Sequence, residues 1–141
     1  MSNVTSPGGL ARALGYASFA SAAAEVAAPG WLCARMGLTD HTGLLRALGA
    51  RETAAGIGIL AVDNPEPGVW SRVAGDAMDL ALLGAAARET TRPRGLAVAA
   101  ALVAGITALD VWCAVALRRG AAGGAGGDAM GGTADPAPDA A

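Results

Sequence analysis

Glu25, Arg51, Glu52, Arg72, Asp76, Asp79 and Asp110 are the residues of this chain best placed to do chemistry, because each lies inside a stretch made otherwise of Ala, Gly, Leu and Val. Carboxylate and guanidinium groups held away from water must pair, exchange protons or hold a ligand, since an isolated charge there is costly. Their spacing sharpens the point. Arg72, Asp76, Asp79 and Leu83 stand four, three and four residues apart, which stacks them on one face of a helix and lets Arg72 pair with Asp76. Gly49, Glu52, Gly56 and Ile59 repeat that spacing, placing a carboxylate between two glycines on a close helix seam. Gly15, Ser18, Ala22 and Glu25 form a third stripe, and Thr107, Asp110 and Ala114 a fourth.

Depth along the helices sorts the charges into two tiers. Glu25 is expected with Arg46 or Arg51 in one tier and Arg72 with Asp76 and Asp110 in the other, leaving Glu52 and Asp79 between. Five carboxylates (Glu25, Glu52, Asp76, Asp79, Asp110) face two embedded arginines (Arg51, Arg72), so the surplus acids must be protonated, solvated near an end or neutralised by a cation. Two uses fit this arrangement: a network that fixes helix register and partner choice, or a proton path, cation path or polar-ligand pocket.

Other chemistry is poorly supplied. His41 is the sole histidine and reads as a solvated loop residue; Cys33 and Cys113 are the only cysteines and read as unpaired packing residues. No metal-ligand spacing, no Ser/His/acid grouping and no phosphate-cradling loop with Lys is present, so no catalytic residue, cofactor or metal is expected. Gly56, Gly58 and Ala61 have the spacing of a dinucleotide fingerprint, but a helical pattern precedes them where a strand is required. The ten arginines are scattered and the net charge is -2, which gives no general attraction to nucleic acid.

The elements that must position these residues are helices. The 141 residues are 53% hydrophobic yet only 4% aromatic, with a mean hydropathy of +0.42 and no Lys, which suits an all-α integral membrane four-helix bundle. Apolar stretches predict helices over about 10–28, 44–62, 70–87 and 95–117, within a transmembrane domain at 1–119. Pro29-Gly30 reads as a stop, 31–43 as a polar connection, 63–68 as a proline-rich turn, 88–94 as a hydrophilic loop and 120–141 as a disordered Gly/Ala-rich tail. No basic residue precedes the first apolar run and Arg12 interrupts it, which argues against a cleaved signal peptide. Trp70 fits an interfacial anchor.

Insertion energetics set a condition on the second helix. Central charges cost about 2.5–3.5 kcal/mol each, so the helix needs its neighbours to enter a bilayer. A soluble Ala-rich bundle escapes that cost, but would have to hide 95–117, which has almost no polar face. The arginines of the two sides differ too little in number to orient the chain firmly, with a slight bias toward cytoplasmic loops.

The segments RALGARETAAGIGILA, RVAGDAMDLALLGAA and ITALDVWCA resemble a family of small bacterial four-helix membrane proteins of unassigned function, some of which carry the label cyclase/dehydrase. The likeness covers about 10–117 and rests on Arg46, Gly49, Arg51, Glu52, Gly56, Arg72, Gly75, Asp76, Asp79 and Asp110. It implies an integral location in the cell membrane. The enzymatic label fits a C-terminal polyketide cyclase or lipid-transfer-like domain, which 120–141 does not resemble. The expected function is therefore a structural or interaction role in the lipid bilayer, with a homo-oligomer or a membrane protein as partner. The alternatives are a proton- or cation-coupled transporter or channel component, and an enzyme or accessory for a lipid-soluble substrate.

Overall fold

A computed structural model of the chain describes residues 6–38 and 41–128, with the backbone alone for 123–128. All the regular structure among these residues is helical, in five elements: α1 (Pro7–Ala27), α2 (Pro29–Met36), α3 (Thr42–Leu60), α4 (Glu66–Ala86) and α5 (Pro93–Asp128). The all-α expectation holds, and the number of helices among the described residues is five rather than four.

Prolines account for most of the shifted boundaries. Proline lacks an N–H, but the first turn of a helix has no intrahelical partner for that N–H, so proline opens helices that it would break further in. Pro7 opens α1 after Ser6, whose side chain accepts a hydrogen bond from Gly9 N–H at 3.1 Å. Pro29 is the same case. The chain turns at Ala28 (φ -132°, ψ 43°) and Pro29 begins α2, so the expected stop is also a start and the expected polar connection is in part a helix. Pro67 and Gly68 sit in the first turn of α4 rather than in a turn before it, and Pro93 opens α5. The last helix runs past Arg119 to Asp128, so 120–128, expected as disordered tail, has helical backbone; the rest of that tail, 129–141, lies outside the described residues.

Gly37 ends α2 with φ 68°, a left-handed conformation that side chains other than glycine's resist. The Thr90 hydroxyl donates to the Met36 carbonyl at 2.5 Å and the Thr91 N–H to the Gly37 carbonyl at 3.1 Å. The loop between α4 and α5 thus satisfies carbonyls that the end of α2 leaves open. A side chain at Gly37 would also run into the backbone of Arg92.

Helix α1 packs along α3 and α4 along α5, while α3 against α4 and α1 against α5 close the interior. Small residues make the first seam: a Cβ on Gly56 would stand 3.0 Å from the Gly15 carbonyl oxygen, and one on Gly49 3.1 Å from that of Ala22. Ala11, Leu14, Ile59, Val69, Cys113 and Ala114 form an apolar plug at one end, backed by Leu10, Leu60, Trp70 and Leu117. The charged residues follow in the middle. Beyond them α2 lies against α3 and α5 at the other end.

Candidate functional site

The four stripes legible in the sequence all turn inward. Gly49, Glu52, Gly56 and Ile59 are buried, as are Gly15, Ser18 and Ala22. Arg72, Asp76, Asp110 and Ala114 are buried too, with Glu25, Asp79, Leu83 and Thr107 half-buried around them. Four charged groups of opposite sign, Glu52, Arg72, Asp76 and Asp110, retain 5% exposure or less.

Glu52 is the hinge of the network. Its Oε2 accepts from Arg72 Nη1 at 2.8 Å and its Oε1 from Arg51 Nη2 at 2.8 Å, so one carboxylate joins both embedded arginines. Arg72 reaches across the interior: its Nε donates to Asp110 Oδ1 and Oδ2 at 3.2 and 3.1 Å, and its Nη1 also donates to the Ser18 hydroxyl. One guanidinium therefore ties α4 to α1, α3 and α5. Arg51 Nη2 extends the chain to Asp79 Oδ2 at 2.7 Å. The Thr107 hydroxyl lies 3.2 Å from Asp76 Oδ2 and 2.8 Å from the Val103 carbonyl, and its single proton serves one of them at a time.

Gly75 makes room for this arrangement. A Cβ there would overlap the Arg51 guanidinium. Hydrogen bonds between charged groups are the strong class, and a planar guanidinium is suited to several at once. Removing one partner from so dry a cluster leaves a buried charge uncompensated, which is where the energetic cost lies.

The two expected tiers do not form as drawn. Arg72 pairs with Asp110 of its expected tier but also with Glu52, and not with Asp76 within its own helix, while Arg51 pairs with Glu52 and Asp79 rather than with Glu25. Arg46 lies exposed on α3 and takes part in none of the ion pairs among the described residues. Glu25 keeps one buried oxygen, Oε2, without a hydrogen-bond partner there, and Asp79 Oδ1 and Arg51 Nε share that condition. Glu52, Asp76 and Asp79 each bring an oxygen within 4.8 Å of the others, a spacing that could hold a cation. Two of the three, Glu52 and Asp79, are already bound by guanidinium groups.

Sequence reasoning missed what two residues contribute: Ser18, legible as a small residue on a seam, bonds directly to Arg72, and Gly75, named only through the resemblance, makes room for the Arg51 guanidinium on the α4 face it shares with Arg72, Asp76 and Asp79. The Gly56 and Gly58 pair lies inside α3, with Gly56 pressed against Gly15 and Phe19, which leaves the fingerprint spacing to helix packing. Cys33 and Cys113 are free and buried. His41 stands half-buried at the start of α3 rather than fully solvated.

His41 borders an open-sided cavity of about 400 Å³ lined by α2, α3, α4 and α5 and by Glu25 of α1. Most of its wall is leucine and alanine. Glu25, Asp79 and Glu89 are its acidic residues, so the charged network and this space share Glu25 and Asp79. No known protein family, no curated protein and no solved structure matches the chain.

Proposed function

We propose that this chain is an integral membrane protein whose α1, α3, α4 and α5 cross the bilayer, and whose Arg51 and Arg72 network locks those helices into one register and so presents a fixed outer face to a membrane partner or a second copy. The observation that carries this reading is the inverted distribution of polarity. Arg72, Glu52, Asp76 and Asp110 are inside, while Val98, Leu102, Leu109 and Trp112 of α5, Ile57 of α3 and Tyr16 of α1 are outside. Soluble proteins place these classes the other way. A bilayer inverts the preference, because its hydrocarbon accepts leucine and rejects unpaired charge.

Helix α5 has an apolar stretch with mean hydropathy 2.0 of which only 17% is buried, a low fraction for the core helix of a soluble protein. Helices α1, α3 and α4 are less apolar, and several of the residues that make them so are the inward-facing Glu52, Arg72 and Asp76. Their 21, 19 and 21 residues match the length of a span. Tryptophans with arginine neighbours mark both ends: Arg35 lies 5.1 Å from the Trp31 ring centre, and Arg118 5.7 Å from that of Trp70. Such pairs suit the headgroup layer. Trp70 Nε1 and Arg118 Nε both donate to Glu66 Oε1, at 3.2 and 3.0 Å. The resemblance to the small bacterial membrane family agrees with this location.

Alkaline carbonate and urea extraction of membranes from expressing cells tests the location. The chain is expected to stay in the pellet until detergent is added, and release by carbonate would remove the membrane reading. Glu52→Gln and Asp79→Asn test the structural role: both should lower thermal stability in detergent or change oligomeric state, and two unchanged proteins would dismiss it.

A second reading is proton- or cation-coupled transport, favoured by the surplus of carboxylates and by the unpartnered oxygens of Glu25 and Asp79. Purified protein in liposomes would then carry a pH- or cation-gradient-driven flux that Asp79→Asn abolishes. Absence of flux under several gradients counts against it.

A further inference from the structure

Exposed charge is distributed unevenly between the two ends of the bundle. Arg35 of α2, Arg46 in the first turns of α3, Arg88 and Arg92 of the loop between α4 and α5, and Arg94 of α5 are all exposed at the end that carries α2. Glu89 is the acidic residue of that loop, and none of the ion pairs among the described residues includes it or any of these arginines. At the plug end the exposed Arg12, Arg118 and Arg119 share the surface with Asp63 and Glu66, and Arg118 is bonded to Glu66. The two Trp–Arg pairs show the same contrast. Arg118 beside Trp70 is neutralised by Glu66, whereas Arg35 beside Trp31 has no carboxylate partner among the described residues.

Three of the unneutralised arginines converge. Arg35, Arg92 and Arg94 line one open groove of about 740 Å³, with Pro93, Gly95 and Val98 completing its lining. It lies where α2 meets the first turn of α5, so closely that a Cβ on Gly95 would overlap the Arg35 carbonyl oxygen. That first turn has N–H groups without carbonyl partners in the helix and carries the positive end of its dipole, which adds to the field of the guanidinium groups. Val98 then begins an exposed apolar row, Val98, Leu102, Ile106 and Leu109, whose intervals of four, four and three keep it on one face of α5 leading away from the arginines. A cationic groove therefore opens directly onto an aliphatic track.

We propose, resting on the membrane reading above, that this groove seats the headgroup of an anionic phospholipid, with its phosphate among Arg35, Arg92 and Arg94 and an acyl chain along Val98, Leu102 and Ile106. A guanidinium offers paired N–H donors that match phosphate oxygens. A free phosphate satisfies the arginines but leaves the apolar row unused. A zwitterionic phospholipid covers the row but brings a quaternary ammonium to a site that is already cationic. A lipid of net negative charge answers both features, and basic clusters at the membrane surface attract such lipids.

Native mass spectrometry of the full chain, released from nonionic maltoside micelles after incubation with equimolar phosphatidylglycerol and phosphatidylcholine of the same acyl chains, tests the assignment. Phosphatidylglycerol is expected to be retained at least about fivefold more than phosphatidylcholine, the ratio that one arginine beside an anionic headgroup supplies. Arg92→Gln with Arg94→Gln should lower that ratio by about fivefold or more on the same grounds. Arg12→Gln with Arg119→Gln removes the same charge from the plug end and should leave the ratio where it is. Glycerol 3-phosphate, which has the phosphate without the chains, should be retained far less than phosphatidylglycerol.

Equal retention of the two lipids would overturn the proposal, as would a ratio unchanged by the Arg92 and Arg94 substitutions or lowered as much by those at Arg12 and Arg119. Retention of glycerol 3-phosphate at the level of the lipid would make the groove a site for soluble phosphates, with the same consequence. A chain that resists carbonate extraction yet holds both lipids equally loses this assignment alone, whereas release by carbonate removes the membrane reading and the lipid site with it.

Discussion

At one end of the interior Ala11, Leu14, Ile59, Val69, Cys113 and Ala114 pack into a plug, while at the other Leu32, Leu45, Leu48 and Leu83 surround a space of about 400 Å³. Both ends use the same aliphatic vocabulary. They differ in side-chain size and in what the helices enclose: the plug includes alanines and a cysteine, which let backbones approach, whereas leucines dominate the hollow end and α2 forms one of its walls. The charged layer lies between the two. The plug closes it on the side of Cys113, whereas Glu25 and Asp79 border the hollow end on the side of Cys33.

The largest expected effect tests the layer that separates the two ends. Arg72→Leu leaves Asp110, which has 0% exposure, and Glu52 without their shared cation. A loss of about 3–5 kcal/mol follows from breaking such buried pairs, visible as failure to recover folded protein or as a large drop in melting temperature in detergent. A stable Arg72→Leu protein would mean that the layer is wet enough to solvate both acids.

Next comes the plug itself. Ile59→Ala removes a side chain with 2% exposure and should cost about 2–5 kcal/mol by thermal or denaturant unfolding, since a packed site cannot collapse around the gap. Gly75→Ala should cost about 1–3 kcal/mol, because the added carbon displaces the Arg51 guanidinium from Glu52 and Asp79.

The sharpest contrast pairs two equal substitutions. Ala114→Phe enlarges a residue with 0% exposure in the plug and should destabilise by about 1–3 kcal/mol or prevent folding. Ala99→Phe adds the same atoms beside the cavity and should shift stability by less than about 1 kcal/mol, since space already exists for them. Equal losses would erase the distinction between the two ends.

The smallest effect uses the native thiols and changes no residue. Cys33 borders the cavity, whereas Cys113 is fully buried in the plug with its thiol 3.4 Å from the Pro7 carbonyl. A small uncharged maleimide should modify Cys33 about tenfold faster than Cys113, because access and thiolate fraction set the rate. The ratio is read by mass spectrometry of the intact folded protein, and comparable rates would show that the plug also opens.

Much of the site was legible because it is local. The spacing of 49, 52, 56 and 59, and of 72, 76 and 79, follows helical geometry, and these residues do turn inward. The helix starts at Pro29, Glu66 and Pro93 were misread because proline was weighed as a breaker when it occupied the first turn. The pairings were legible only in part: Arg72 shares its expected tier with Asp110, but nothing in the spacing joins Glu52 to both arginines or Arg51 to Asp79. Arg72 with Asp110 spans two helices, as does Arg51 with Asp79, and depth along each helix cannot say which helices are neighbours.

The order of residues along the chain is enough to make the described segments helical, to put small and charged residues on shared inward faces, and to leave the acids outnumbering the arginines available to them. Periodicity and composition carry this information within each segment. Packing between helices makes Glu52 bridge both arginines, leaves Glu25 Oε2 without a hydrogen-bond partner among the described residues, and opens a cavity lined in part by Glu25. Those outcomes depend on the packing of α1 along α3, α4 along α5 and α2 across one end, and such distances between helices are not written in the spacing along any one of them.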